Sequence, residues 1–344
     1  MNSQLKQRDY TWDVLKFFLI VTVILGHFLY DNMKDNAINC IVHNYIYLFH
    51  MPLFVFISGF FSRKNKKEDC LYKMFQLLET YIVVQFFYVT SAYFLLHIPF
   101  SWRYFYTPSY AAWYLLSLII WRVLLQIAPE KLLNSRLIVP ICITVSLAAG
   151  FIPVGVELSI QRTLAFSPFF FCGYYLKKRM GFGLASLKMK CFCVGVIFAT
   201  FVGSCIFLNR DVSFVVWCSS SYYSPHHSAW TLLLFRTFFL VIAAMMVFCI
   251  LMVFPKQKNP SIWSRMGEDT LYYYVYHVLV MRVGMVAIRH FDLSLAFPAM
   301  LLYTILTVVL INFLVKISFF RNILNPISSY VRLINTKQNS NYYV

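Results

Sequence analysis

Three residues with ionisable side chains, Asp13, Lys16 and His27, lie within a membrane-length apolar stretch that runs from Tyr10 to Tyr30. Placing such a group in the hydrocarbon of a bilayer costs at least a few kcal/mol, so these residues usually face a bundle interior or a wet cavity. On an α-helix, the step from Lys16 to His27 amounts to three turns plus roughly 20°, and Asp13 lies about 40° from His27. All three side chains can therefore share one face of the helix, with Lys16 and His27 about 16 Å apart along its axis.

Imidazole is the group in this set best suited to move a proton, because it titrates near neutral pH. The pattern predicts that His27 acts as a general base, while Lys16, paired with Asp13, holds the far end of an elongated ligand. An alternative stays open at this point. Asp13 and Lys16 can instead anchor the helix at the lipid surface, where long charged side chains commonly reach for water, and His27 can be a structural histidine.

The composition of the chain is that of a membrane protein. Of the 344 residues, 60% are hydrophobic, 19% are aromatic and only 12% are charged, whereas about 25% of the residues in soluble domains are charged. Aromatic residues on this scale suit repeated membrane interfaces. The nine cysteines form no CxxC pair, so we expect buried thiols and neither a metal site nor a disulfide framework.

Apolar segments of near-spanning length predict an all-α fold, a polytopic transmembrane bundle of about ten helices. The segments fall at residues 12–30, 41–61, 74–96, 110–128, 137–151, 162–176, 191–208, 230–254, 269–290 and 294–317. The fifth and sixth are short, so we expect a tilted or partly buried element at either position. We interpret residues 1–344 as a single membrane-embedded domain that ends in a short cytoplasmic tail at 318–344.

Basic residues are distributed very unevenly between the two sides of this bundle. With an inside N-terminus, 22 of the 30 Lys and Arg residues fall in inner segments, four in outer segments and four within spans. Cytoplasmic loops are enriched in Lys and Arg, so the count predicts that both termini are cytoplasmic. It also accounts for most of the net charge of +17 without nucleic acid as a partner. The longest outer connection, residues 209–229, is polar and aromatic, and we expect it to cover an outward cavity.

Four further residues interrupt or border the apolar runs and are candidates for binding a substrate: His50, Trp113, Arg162 and His277. His50 comes shortly before Pro52, whose missing N–H loosens a helix and favours a wet polar pocket. Each residue also has a structural interpretation. His50 can bond to the kinked backbone, Trp113 and Arg162 can be interfacial anchors, and His277 can be a packing residue.

A basic cluster follows the second apolar segment, at the same membrane face as Lys16. It consists of Arg63, Lys64, Lys66 and Lys67. Basic side chains at this density attract phosphate groups, so we expect a phosphorylated cofactor to bind here, although such a run can equally be a topology signal alone. The sequence contains no GxSxG nucleophile motif, no metal-ligand spacing and no glycine-rich phosphate loop.

Five stretches, taken in order, resemble the acyltransferase 3 family of integral membrane acyltransferases, in its fucose 4-O-acetylase-like branch. The first contains the family signature of a basic residue, ten residues and a histidine, which Lys16 and His27 fit. The five stretches are RDYTWDVLKFFLIVTVILGH, FHMPLFVFISGFF, WYLLSLIIWR, RTLAFSPFFFCGYYLK and GEDTLYYYVYHVLV. The basic position is often arginine in the family and is lysine here, which removes the bidentate geometry of a guanidinium.

The resemblance implies transfer of an acyl group, usually acetyl from acetyl-CoA, to a hydroxyl of a cell-surface carbohydrate or lipid-linked glycan in the bacterial cytoplasmic membrane. By the same resemblance, His27 is the catalytic histidine, Lys16 is its basic partner near the donor, and Arg63 with its neighbours contacts the nucleotide phosphates. Direct attack and an acyl-histidine intermediate both stay open, and so does assembly into a homo-oligomer. The alternatives to an acyltransferase are a glycan exporter and a partner protein that has lost catalysis; neither requires CoA.

Overall fold

The computed structural model describes residues 8–33, 36–64, 67–177, 185–207, 216–223, 227–291 and 296–324. Regular structure in these ranges is helical throughout. The α-helices are α1 (Thr11–Asp31), α2 (Ala37–Tyr47), α3 (His50–Phe61), α4 (Lys67–Leu96), α5 (Trp113–Ile127), α6 (Glu130–Leu133), α7 (Ile138–Ala149), α8 (Ile160–Leu176), α9 (Leu187–Phe207), α10 (Ala229–Val253), α11 (Ile262–Glu268), α12 (Thr270–His290), α13 (Phe297–Leu314) and α14 (Ser318–Ile323). Short 3-10 helices cover Trp102–Phe105, Tyr110–Ala112 and Glu157–Ser159.

Eight helical segments in the described ranges are long and apolar enough to cross a bilayer. They are Thr11–Tyr30, Ala37–Phe61, Asp69–Leu96, Trp102–Ile127, Leu187–Phe207, Ala229–Val253, Thr270–Ile288 and Phe297–Leu314. Each matches one of the ten predicted segments. The two short predicted segments correspond to α7 and α8, with 12 and 17 residues. The predicted fold class is confirmed, and the chain is a multi-pass membrane protein.

The second predicted segment is broken into two helices. α2 ends at Tyr47 and α3 begins at His50, which places Pro52 in the first turn of α3. The missing N–H of a proline costs nothing there, because the first N–H groups of a helix have no intrahelical partner. At the break, the carbonyl of Ile46 accepts a hydrogen bond of 3.2 Å from the backbone N–H of Phe49 and one of 2.8 Å from Nδ1 of His50.

Glycines bring α3 and α8 into close contact. A Cβ on Gly59 would overlap the backbone of Phe170, and a Cβ on Gly173 would overlap the backbone of Phe56. Small residues of this kind let transmembrane helices approach until their backbones touch. α3 and α8 consequently form a rigid pair, and the outer end of each carries a predicted site residue.

A similar approach fixes the inner end of α1. A Cβ on Gly267 of α11 would overlap the carbonyl of Asp13, so α11 packs directly across the first turns of α1. The helix α14 falls within the predicted cytoplasmic tail and reaches the same region, since Nη2 of Arg321 lies 3.2 Å from Oδ1 of Asp269. The remainder of that tail, from residue 325 onward, lies outside the described residues.

Candidate active site

A cavity of about 270 Å³ lies between α1, α3, α5 and α8, at the ends that the charge distribution places on the outside. Its wall contains four of the predicted site residues, His27, His50, Trp113 and Arg162, together with Tyr47 and Tyr110. Connections between helices complete the wall with Thr107, Pro108, Gly155, Val156, Val216, Trp217 and Ser219. The last three belong to the long outer connection, which agrees with its predicted role as a cover.

His27 is held in this wall by ring contacts alone. Its imidazole centroid lies 4.7 Å from that of Tyr110, 5.2 Å from that of His277 and 6.5 Å from that of Tyr47. The side chain makes no hydrogen bond to any residue that the structure describes, and it is half-buried because it faces the cavity. Neither ring nitrogen is committed to the protein, so either can accept a proton from a bound hydroxyl group.

His277 lies behind His27 and outside the cavity wall. The two rings stack at an angle of 22°. Nδ1 of His277 donates to the carbonyl of Tyr273 at 2.9 Å, which leaves Nε2 as an acceptor. That Nε2 is buried without a partner in the described part of the chain. His277 is thus not among the residues of the cavity wall, and its contact with substrate stays a prediction.

His50 is fixed in the same way, because its Nδ1–H is committed to the carbonyl of Ile46. Its Nε2 is left as an acceptor in the cavity wall. The two interpretations of His50 are therefore compatible: its ring bonds to the backbone at the helix break, and it also lines the cavity. Tyr47 contacts both His50 and His27, with ring centroids 4.4 Å and 6.5 Å away.

Arg162 and Trp113 form the opposite part of the wall. The guanidinium of Arg162 lies over the Trp113 ring, 5.1 Å from its centroid. Its Nε donates to the carbonyl of Trp217 at 3.3 Å. An arginine on an aromatic face keeps its charge while losing less hydration than a lysine would.

A polar network that begins at Gln161 in the cavity wall was not predicted. Nε2 of Gln161 donates to the carbonyls of Ala149 and Ile152 at 2.8 and 2.9 Å. Oε1 of Gln161 accepts from Nη1 of Arg236 at 3.4 Å, and Nη2 of Arg236 donates to the carbonyl of Ser220 at 2.8 Å. This network joins α7, α8, α10 and the outer cover. The sequence signal for it was an arginine inside the apolar run of α10.

Backbone strain is concentrated around the cavity. Among the described residues, five that are not glycine have positive φ, between 47° and 56°: His97, Tyr110, Leu158, Ser159 and Cys218. Tyr110 and Ser159 line the cavity, Leu158 adjoins it, and Cys218 lies between two lining residues. Such conformations cost about 1–3 kcal/mol each and persist where the surrounding structure enforces them, often at functional sites.

At the inner end of α1, Asp13 binds two cations. Its Oδ1 lies 2.8 Å from Nζ of Lys16, which is the predicted pair, and its Oδ2 lies 2.8 Å from Nη2 of Arg8. Arg8 also lies 2.6 Å from Oε1 of Glu268. Its hydrogen bond to Asp13, followed by the charge of Asp13, raises the pKa of Arg8. Arg8 was not predicted as part of this group.

The predicted basic cluster is described in part. Arg63 and Lys64 are exposed just beyond α3, and Nζ of Lys64 donates to the carbonyl of Ala128 at 2.9 Å. Lys66 lies outside the described residues, and so does the side chain of Lys67. Nζ of Lys177 adds a further cation at the same end, bonded to the carbonyl of Ser62 at 3.1 Å.

The straight path from Lys16 to His27 along α1 is closed. Leu19, Ile20 and Val23 occupy the shared face between them and are 0–3% exposed. An elongated ligand between Lys16 and His27 would therefore need another path, because ionisable residues at the two ends of one helix face do not determine what fills the middle.

A more open line of residues runs between α3 and α5. Phe54, Ser58 and Tyr114 are only half-buried although they lie inside the bundle. Oγ of Ser58 and the hydroxyl of Tyr114 share a hydrogen bond of 2.5 Å. Tyr114 follows Trp113 of the cavity wall, and Arg63 lies five residues beyond Ser58 at the basic end.

Comparison with known proteins places this arrangement in context. A family model described as an acyltransferase domain matches residues 9–315 of the chain. Nodulation protein NolL of Sinorhizobium fredii is 45% identical over 58 residues, which cover 16% of this chain and 16% of that protein. The match to this relative therefore spans a small part of its length. No solved structure matches the chain.

Proposed function

Because the chain belongs to the acyltransferase 3 family of integral membrane acyltransferases, we propose that it transfers an acetyl group from acetyl-CoA to a hydroxyl group of a cell-surface carbohydrate or lipid-linked glycan. The observation that carries this proposal is His27, an imidazole without a hydrogen bond in the described structure, in the wall of an outward cavity. We propose the bacterial cytoplasmic membrane as its location, with the acceptor on the outer side.

In this proposal His27 takes the proton of the acceptor hydroxyl as its oxygen attacks the thioester carbonyl. The new ester C–O bond forms, the C–S bond breaks, and the imidazolium returns the proton to the departing thiolate. A positioned base of this kind contributes typically about 10²–10⁴-fold to rate. In the described structure, His27 has no hydrogen bond of its own that orients its ring. In this proposal the ring is oriented by stacking on His277, which is itself fixed by its bond to the carbonyl of Tyr273.

The size of the cavity supports a division between donor and acceptor. About 270 Å³ is slightly below the volume of typical pockets for small ligands, about 300–1,000 Å³. It suits one sugar ring and the acetyl end of a donor, and it is too small for the nucleotide part of CoA. The exposed side chains of Arg63 and Lys64, and the half-exposed Lys16, offer cations for phosphates at the inner end.

We further propose that the donor's acyl arm follows the half-buried residues between α3 and α5. The hydrogen-bonded pair of Ser58 and Tyr114 lies on this line, whereas the face of α1 is closed by Leu19 and Ile20. Two hydroxyl groups among aromatic rings also suit the amide-containing pantetheine arm, because they can donate to and accept from its amides.

The test is purified full-length protein in lipid nanodiscs, with radiolabelled acetyl-CoA and a glycan fraction from cells that lack the gene. We expect His27→Ala to lower the transfer rate by about 10²–10⁴-fold and to leave the thermal stabilisation by acetyl-CoA intact. His290→Ala is the control, because His290 is exposed at the end of α12, away from the cavity wall. Full activity of His27→Ala would refute the role of the base. Absence of any stabilisation by acetyl-CoA would favour the exporter alternative.

A further inference from the structure

Arg162 is the one residue in the described cavity wall that carries a permanent positive charge. A guanidinium has five N–H donors. Within the described structure, only its Nε donates, to the carbonyl of Trp217 at 3.3 Å. The ionisable side chains that interact with it electrostatically include Tyr47, Cys218, Tyr274 and Tyr30, and none of these four carries a carboxylate.

Arg236, which does not line the cavity, shows how this fold provides hydrogen-bond acceptors for a buried guanidinium. It is 5% exposed, and its two Nη groups donate to Ser146, Gln161 and Ser220 through two carbonyls and one amide oxygen. The Nη groups of Arg162 make no such bond to a described residue. They are not among the buried polar atoms that lack a partner, so they are open to the cavity.

A cation without an anionic partner is costly inside a membrane bundle, and the residues that keep such a charge usually bind a substrate or an ion. We propose that Arg162 binds an anionic group of the acceptor, either the carboxylate of an acidic sugar or a phosphate that links the glycan to its lipid. The planar fork of a guanidinium binds both groups through two parallel hydrogen bonds. This inference rests on the proposed function and narrows its substrate class.

The geometry of the cavity supports this assignment. Arg162 and His27 both line a space of about 270 Å³, so an anion bound at Arg162 positions the rest of a sugar ring within that space, beside His27. The platform is rigid, because the guanidinium lies over the Trp113 ring and α8 is locked against α3 at Gly59 and Gly173. Stacking on an aromatic ring also leaves the edge of the guanidinium accessible.

Binding can be tested without catalysis. Thermal unfolding of the full-length protein in nanodiscs is measured with methyl glucuronide, glucose 1-phosphate and the neutral methyl glucoside. We expect the wild type to be stabilised by at least one of the two anionic sugars at concentrations at which methyl glucoside has no effect. We expect Arg162→Gln to abolish this stabilisation and Arg162→Lys, which keeps the charge without the fork, to retain part of it. Arg103→Gln is the matched control, since Arg103 is an outer cation outside the cavity wall.

The source of the anion follows from which sugar stabilises the protein. Methyl glucuronide alone identifies an acidic sugar, and glucose 1-phosphate alone identifies a lipid-linked phosphate. Stabilisation that is equal for charged and neutral sugars, absent for all three, or unchanged in Arg162→Gln would overturn the proposal.

Steady-state kinetics distinguish the role of Arg162 in acceptor binding from the proposed acetyltransferase activity itself. We expect Arg162→Gln to lower kcat/KM for the preferred anionic acceptor by about 10- to 100-fold, mainly through KM, as the loss of hydrogen bonds between charged groups predicts. Transfer to the neutral sugar should change little. An equal loss for both acceptors, mainly in kcat, would place Arg162 on the developing charge of the reaction instead and would overturn the acceptor assignment. If no acceptor is acetylated and acetyl-CoA does not bind, the proposed function fails, whereas the thermal test of Arg162 still stands.

Discussion

Gly173→Ala tests whether contact between two helices sets the geometry of the candidate site. The new Cβ would overlap the carbonyl oxygen of Phe56 and lie 2.9 Å from the backbone nitrogen of Phe60. Ordinary contact of a Cβ begins at 3.4 Å. Both obstacles are backbone atoms of α3, so no side chain can rotate away, and α3 and α8 must separate by about 1 Å to relieve the overlap with the Phe56 oxygen.

The size of the effect follows from this displacement. Overpacking in a close-packed interior costs about 1–3 kcal/mol, so the midpoint temperature of unfolding should fall. Because α3 carries His50 and α8 carries Arg162, the same separation moves two parts of the cavity wall. A misplacement of about 1 Å can cost 10²-fold in rate. We therefore expect a loss of about 10- to 100-fold in acetyl transfer.

The control is Gly203→Ala on α9, where an added Cβ meets nothing within 4 Å. Alanine is the better helix former by about 1 kcal/mol, so this variant should be at least as stable as the wild type. Both variants are compared by thermal unfolding and by transfer from acetyl-CoA. If Gly173→Ala unfolds at the same temperature as Gly203→Ala and transfers acetyl at the wild-type rate, the reasoning about helix contact is refuted.

Three further perturbations probe the donor path, the inner ion pairs and the outer loops. Ser58→Leu should raise KM for acetyl-CoA without weakening stabilisation by an acceptor sugar, because the larger side chain fills the line between α3 and α5; an unchanged KM would exclude that route. Asp13→Asn should lower the free energy of unfolding by about 1–3 kcal/mol, since it removes a buried acceptor of two cations, whereas Glu268→Gln should change it by less than about 1 kcal/mol. Glu157 has a lowered pKa, first through a hydrogen bond to its own backbone and also through Gly155 and Arg103. Its contribution to loop stability is present above the ordinary pKa of 4.5 and is lost as pH falls through the lower folded value. The protection of residues 103–107 against hydrogen exchange, corrected for the intrinsic pH dependence of exchange, should fall over that acidic range in the wild type and be independent of pH there in Glu157→Gln.

The fold was largely predictable because membrane spans are encoded locally. Nine of the ten apolar segments coincide with one helix each, the second coincides with α2 and α3 together, and the two short ones are α7 and α8. The break near Pro52 was signalled as well, although its form was not. Four polar residues in apolar surroundings, His27, His50, Trp113 and Arg162, were singled out and share one cavity wall.

The remaining features depend on how distant segments meet, which spacing along one helix does not encode. The position of His277 behind His27 and the bond between Gln161 and Arg236 both follow from helix packing. The positive φ of Tyr110 is imposed by its surroundings, since tyrosine has no preference for it. The closed face of α1 between Lys16 and His27 was not predicted either, because the spacing of these two residues does not show which leucine and isoleucine pack between them.

The hydrogen-bond acceptors of Arg236 among the described residues are all uncharged oxygen atoms, so the bonds that hold this side of the cavity should depend little on pH and salt. Carbonyl and amide oxygens gain no proton in acid, and they bear no net charge that dissolved ions can shield. In the proposed location, the outer face of the protein meets a medium whose acidity and ionic strength the cell does not control. The part of the wall that is held by these neutral acceptors should therefore keep its structure at low and high ionic strength. The exposed ion pair of Arg103 and Glu157 should weaken as the salt concentration rises.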